Sequence, residues 1–430
     1  MHINKERLWS RIEKLSEFTD PDAPWTRRAF TDVYSNGRAW LEREMQFAGL
    51  TTRIDKGGNL IGHLSGKNED APIIATGSHI DTVPSGGRYD GILGVIAGLE
   101  VLQSINESGH IPEHGMEVID FLSEEPSDYG VSCIGSRAMV GKLNQELLSY
   151  KNSVGETLSE AIMRVGGTPI DIETDKRLPG DLACFVELHI EQGKLLETNG
   201  SQVGNVSHIV GIKRYDITFE GQADHAGTTP MDLRKDALVG ASSFVQYINQ
   251  KAKDEVGKEH YLVATIGKID VKPNAANAIP EKVSLVVEVR SDRNDLLNNF
   301  LTPIIEWTYS TICPEYDLNI KVKTLSKGTP TACSRLVQDT INEAAEKCNK
   351  NAMVMPSGAG HDAVYLSEIA PIGMIFTPCR DGRSHCPEES MSKDEASDGT
   401  KVLAEALLQL DKKLSTKSAN QASTTNKVMK

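Results

Sequence analysis

PIIATGSHIDTVPSGGRYDGILGVIAGLEVLQSI, residues 72–105, carries the fold in miniature. The apolar run over 72–78 reads as a strand, and the run over 92–105 reads as a helix. Between them lies a loop rich in Gly, Pro and Ser. Outward from this unit, 39–47 reads as a helix, 116–122 as a strand and 184–189 as another strand. Alternation of this kind predicts an α/β sheet covered by helices. Polar side chains at the ends of such strands are where ligands usually sit.

The rhythm changes near residue 215. Strand 215–220, helix 235–251, strands 261–269 and 283–290, helix 294–312 and strand 318–323 spell β-α-β-β-α-β, a ferredoxin-like order. Helix 334–347, strand 372–377 and a closing helix over 394–414 then resume the first pattern. The expectation is a discontinuous catalytic domain, 1–212 and 325–414, with 213–324 inserted into it. The polar segment 415–430 has no periodicity and is expected to be disordered.

At 430 residues and 39% hydrophobic composition, the chain can bury more than one typical domain needs. Lys plus Arg total 46 against 60 Asp plus Glu, a formal charge of −14, and no basic run stands out. That argues against nucleic acid as a partner. No apolar stretch suggests a signal peptide or a membrane span. Seven scattered cysteines without a CxxC pair fit reduced thiols, so a cytoplasmic location is expected.

Four segments place metal-binding side chains after apolar runs. GSHIDTVPSGGRYDG offers His79 and Asp81, two apart, and then Asp90; DFLSEEPS offers Glu124 and Glu125. VELHIEQG offers His189, Glu191 and Gln192, and RDGRSHCPEE offers His385. Each has a bland alternative as a satisfied polar residue or a solvated turn. Together, at strand ends of one α/β pattern, they can converge on one edge of the sheet. Such nitrogen and oxygen donors suit Zn²⁺, Mn²⁺ and related ions.

With GSRAMVG, ELHIEQGKLLE, GQADHAGTTPMDLRKDAL, PNAANAIP and SGAGHDA, these segments give a chain that resembles the hydantoinase/carbamoylase family of amidases. That family includes N-carbamoyl-L-amino acid hydrolases, allantoate amidohydrolases and some β-ureidopropionases, within the aminoacylase and metallo-carboxypeptidase superfamily. The resemblance runs from about residue 10 to 412. It implies a mixed-sheet catalytic domain holding two divalent ions, zinc foremost, with manganese, cobalt or nickel as alternatives. His79, Asp90 and His189 would hold one ion and Asp90, Glu125 and His385 the other, with Asp90 bridging.

The resemblance further implies Asp81 as the partner that orients His79, and Glu124 as general base. The inserted domain would be a lid and would join a homodimer. It would bring His225 to the oxyanion and, with Gln192, Lys213 and His361, would bring Asn277 and Arg290 to the substrate. Arg290 would clamp the substrate's carboxylate, because a guanidinium pairs with a carboxylate in a bidentate way. The expected substrate is an N-carbamoyl-L-amino acid, with allantoate, N-acyl amino acids and N-carbamoyl-β-alanine as alternatives. Two departures from the family stand out: Asp128 where a basic residue is common, and Cys386 where Asn is frequent after His385. His2, His63, His110, His114, His208 and His260 lack a motif and are given no role.

Overall fold

The computed structural model describes residues 1–428, with side chains described through 416. The chain divides into two units. The first is Met1–Ser207, Cys333–Met355 and His361–Lys430, and the second is His208–Ala332 with Pro356–Gly360. The stretch expected to be inserted, 213–324, lies wholly inside the second unit.

The first unit is built on a mixed sheet. Thr51–Ile54 pairs with Leu60–Leu64, which pairs antiparallel with Met116–Asp120; Ile73–Ser78, Leu182–Ile190 and Ile372–Thr377 follow in that order. From Met116–Asp120 to Ile372–Thr377 the neighbours are parallel. Val203–Ile209 then closes onto Ile372–Thr377 antiparallel. Parallel strands point their C-terminal ends the same way, so the residues that follow them meet at one edge. Glu124 and Glu125 follow Met116–Asp120, His79 follows Ile73–Ser78, His189 stands one residue before the end of Leu182–Ile190, and His385 lies beyond Ile372–Thr377.

The helix Ile92–Glu107 is buried from Ile92 through Ile105, as a helix apolar on every side must be. Its one acid in that stretch, Glu100, is wholly buried. The carboxylate accepts from Arg7 Nε at 2.6 Å and stands 3.5 Å from Arg11 Nη1, both on the helix Lys5–Ser16. A buried charge persists only when it is paired in this way. The sequence reading passed over this first helix.

The second unit has a four-stranded antiparallel sheet, ordered Asn319–Lys327, Gly211–Glu220, Lys282–Ser291, Leu262–Lys272. Ile217, Phe219, Val283, Leu285 and Val287 pack with Phe244, Ile248 and Ile304 of the helical segments in its core. In the helix expected over 294–312, Asn294–Asn299 and Leu301–Trp307 are separated by a break in the hydrogen bonding at Phe300, whose φ −54° and ψ −44° stay helical, and a π turn follows over Thr308–Ile312. Pro303 has no N–H to bond back across the break.

The closing helix runs Lys393–Val428. The expectation of disorder from residue 415 is therefore corrected as far as Val428: nothing in 415–428 is Gly or Pro, so no breaker stops the helix. Residues 429–430 lie outside the described residues. Among the described residues, no helix is long and apolar enough to cross a membrane.

Candidate metal centre

His79, Asp90 and His189 each bring a ligand atom within 4.8 Å of the other two, and so do Asp90, Glu125 and His385. Asp90 belongs to both sets. Its Oδ1 stands 3.4 Å from His189 Nε2, and its Oδ2 stands 3.0 Å from His385 Nε2. Glu125 Oε1 lies 3.1 Å from the same His385 nitrogen.

The histidines are oriented from behind. His79 Nδ1 lies 3.0 Å from the Asp81 carbonyl oxygen, and His189 Nδ1 lies 2.9 Å from the carbonyl of Ile190. Protons on those nitrogens turn each Nε2 lone pair toward the cluster, where that of His189 accepts the Gly91 N–H at 3.1 Å. Gly91, at φ 69°, makes this arrangement possible, because a β-carbon there would lie 2.3 Å from His79 Nε2.

The acidic pair is set by Asp81. Its Oδ1 accepts the backbone N–H of Glu124 at 3.1 Å, and its Oδ2 accepts that of Glu125 at 3.2 Å. The two side chains then diverge. Glu125 goes to His385, while Glu124 Oε2 stands 3.8 Å from His79 Nε2 and its Oε1 accepts from Cys133 Sγ at 3.4 Å.

Charge balance in the cluster calls for cations. Burial works against ionised Asp90, yet the hydrogen bond from His385 and the charges of His189 and His79 hold it below the usual carboxylate range. The hydrogen bonds to Asp90 and Glu125 push His385 up to about 11. Burial opposes protonation of His79, but Asp81, Glu124 and Asp90 still raise it well above its ordinary value. The carboxylates thus draw His79 and His385 toward the charged form, whereas burial holds His189 below its ordinary value, and two His–carboxylate sets with a common aspartate fit divalent metals. Glu187, His189 and His361 form a third set of the same kind, sharing His189 with the first. Nothing in the sequence reading marked Glu187, which is wholly buried.

Residues 75–409 match the Peptidase family M20/M25/M40. The chain is 37% identical over 409 residues to an N-carbamoyl-L-amino acid amidohydrolase of Geobacillus stearothermophilus, covering 95% of this chain and 99% of that one. It is 34% identical over 408 residues to the allantoate amidohydrolase of Escherichia coli, covering 94% and 98%. A hydantoinase/carbamoylase family amidase from Burkholderia multivorans superposes with a TM-score of 0.88 at 34% identity, covering 95% and 98%.

The chain belongs to the M20/M25/M40 family. Within it, the chain is a hydantoinase/carbamoylase amidase, a hydrolase of non-peptide C–N bonds.

In this amidase Gln192, expected at the substrate, reaches the shared aspartate: its Nε2 donates to Asp90 Oδ1 at 2.9 Å. Its buried Oε1 accepts no hydrogen bond. His361 is buried with its ring 4.7 Å from that of His189. Glu389 escaped the sequence reading although it lies in RDGRSHCPEE. Its Oε1 accepts the N–H groups of Tyr89 and Asp90 at 2.7 and 3.2 Å, and its Oε2 accepts from Ser384 Oγ at 2.9 Å. It thereby ties the loop of Asp90 to that of His385. Gly87 leaves room for it, since a β-carbon there would lie 2.4 Å from the Glu389 carboxyl.

Asp128 pairs with Arg28 at 2.5 Å, so its charge is balanced from the N-terminal segment. Cys386 is partly exposed and free of any disulfide. Of the histidines without a motif, His114 bonds Asp411 at 2.8 Å and His260 lies 2.8 Å from Glu255.

Within the amidase's second unit, the loops of His225 and Asn277 meet. Ala226 N–H donates to the Asn277 carbonyl at 3.0 Å, and His225 bridges to Ala278. Arg290 bonds Glu288 at 2.7 Å and the Gly358 carbonyl at 2.6 Å. Lys213 does not join it. It pairs in register with Val289, whose side chain is in the core, and it bonds Asn298 of the helix Asn294–Asn299.

Proposed function

We propose that the chain hydrolyses the carbamoyl C–N bond of N-carbamoyl-L-amino acids, releasing the amino acid, CO₂ and ammonia, with two divalent ions per subunit. The observation that carries this reading is Asp90, which turns one oxygen to His189 and the other to His385. One carboxylate facing two histidines is the arrangement for a bridged pair. Zinc is the leading ion, with manganese, cobalt and nickel as alternatives. When bound, such ions polarise a carbonyl and acidify water.

The protein's own work falls to named groups. Glu124 removes a proton from water and delivers it to the departing amine nitrogen. Burial raises its pKa above the ordinary value, against the pull of His79. Asp81 fixes His79 and the backbone of the acidic pair. Arg290 and Asn277 recognise the substrate's carboxylate, and His225 stabilises the oxyanion.

A second reading, allantoate hydrolysis, is favoured by the 34% identity to the Escherichia coli relative. Assembly as a homodimer through the second unit is supported by the strand Leu262–Lys272, which pairs with Lys282–Ser291 on one side and ends the sheet on the other. An open edge is a template for a second chain. The metal-reconstituted protein should be assayed on N-carbamoyl-L-amino acids, allantoate, N-carbamoyl-β-alanine and N-acetyl amino acids, following ammonia and amine release. Highest kcat/KM on an N-carbamoyl-L-amino acid supports the first reading; highest kcat/KM on allantoate replaces it with the second.

A further inference from the structure

The register of the second unit's sheet decides which side chains share a face. Ile212 stands opposite Arg290, Lys213 opposite Val289, and Arg214 opposite Glu288. Directly paired residues project from the same side, and successive residues alternate. Val289 is 1% exposed in the core beneath the helices, so Lys213 shares that side. Arg290, Glu288 and Arg214 therefore stand together on the opposite, open side.

They form one chain of charge. Glu288 Oε1 accepts from Arg290 Nε at 2.7 Å, and Glu288 Oε2 accepts from Arg214 Nε at 2.6 Å. Arg290 Nη1 donates to the Gly358 carbonyl at 2.6 Å. Two of the three guanidinium nitrogens of Arg290 are engaged, which leaves Nη2 and the outer edge for an incoming anion. We infer that Glu288 is a positioning residue for Arg290, and that Arg214 is the counter-charge that lets Glu288 hold Arg290 without cancelling it.

Charge arithmetic supports the division of labour. Arg290 with Glu288 alone is neutral and offers a carboxylate no net attraction, whereas the trio carries one net positive charge. Burial opposes ionisation of Glu288, but the bond from Arg290 and the charges of both arginines keep it below its ordinary pKa. A guanidinium fixed at two nitrogens has lost its rotamer freedom before the substrate arrives, so that cost is not met on binding.

This inference rests on the reading of Arg290 as the carboxylate receptor. The test measures kcat and KM for the N-carbamoyl-L-amino acid, and the inhibition constant of its carboxamide counterpart, in metal-loaded wild type, Glu288→Gln, Glu288→Asp, Arg214→Gln and Arg290→Ala. Glu288→Gln and Arg214→Gln should each raise KM for the acid by about three- to tenfold with little change in kcat. Glu288→Asp should recover part of the loss, and carboxamide binding should not move. Unchanged or lowered KM in Glu288→Gln, beside a raised KM in Arg290→Ala, would overturn the positioning role and leave the receptor intact. Wild-type KM in Arg290→Ala would instead remove the receptor reading. A carboxamide constant that shifts as far as KM for the acid would reduce Glu288 to a structural residue.

Discussion

Asp81 holds Glu124 by its main chain: Oδ1 of the aspartate accepts the glutamate's backbone N–H at 3.1 Å. Spacing alone assigns Asp81 to His79, two residues before it. In the fold the carboxylate is 3.5 Å from His79 Nδ1 and also anchors both members of the acidic pair. Asp81→Asn turns an amide N–H₂ toward backbone N–H donors. Turnover should fall about 10- to 100-fold, with weaker metal retention after dialysis. Wild-type kcat and metal content would remove Asp81 as the common anchor.

Glu124 and Glu125 should separate cleanly. Glu124→Gln should keep its metal and lose about 10²–10⁴-fold in kcat, the usual worth of a general acid/base. Glu125→Gln should lose metal, because Glu125 is the carboxylate beside His385. Metal analysis of the purified variants decides, and the opposite pattern would reverse the two roles.

An acid at Asp128, where a basic residue is common, would by charge disfavour a dianionic substrate, but the structure pairs it with Arg28. Freeing that arginine is the informative change. Asp128→Asn should raise kcat/KM for N-carbamoyl-aspartate relative to a neutral-side-chain analogue by a few-fold, with stability changed by less than about 1 kcal/mol, as for an exposed ion pair. An unchanged ratio would take Asp128 out of substrate selection.

Away from the site, Glu117 sets a pH dependence. Burial raises its pKa, but His63, Arg177 and Arg53 more than offset this and bring it down to about 2 from 4.5. A depressed carboxylate stabilises the fold fully above its unfolded pKa and loses that contribution as pH falls through the folded value. The window is therefore pH 4.5 down to about 2. Urea unfolding at pH 6 and pH 3 should show wild type losing more stability between the two than Glu117→Gln. Equal losses would place the acid sensitivity elsewhere.

Much of the candidate centre was legible because its candidate ligands follow the four parallel strands, each of which carries an apolar stretch. Buried parallel strands announce themselves in this way. What stayed hidden depends on contacts between distant residues. Glu389 holds Asp90 across the chain, and Cys133 reaches Glu124 from a left-handed turn. Neither has a local pattern. The choice between Lys213 and Arg214 turns on which side of a strand faces the helices, and a one-residue difference reverses it. The edge strand Thr51–Ile54 escaped notice because its residues are mostly exposed and carry no apolar run.

The most direct test of a centre bridged by Asp90 is a metal titration of the chelated protein, with amino acid release from an N-carbamoyl-L-amino acid followed at each addition of zinc or manganese. Chelation should abolish activity, and activity should return to a plateau at two ions per chain, with Asp90→Ala binding neither ion tightly. A plateau at one ion per chain, or full activity in Asp90→Ala, would contradict it.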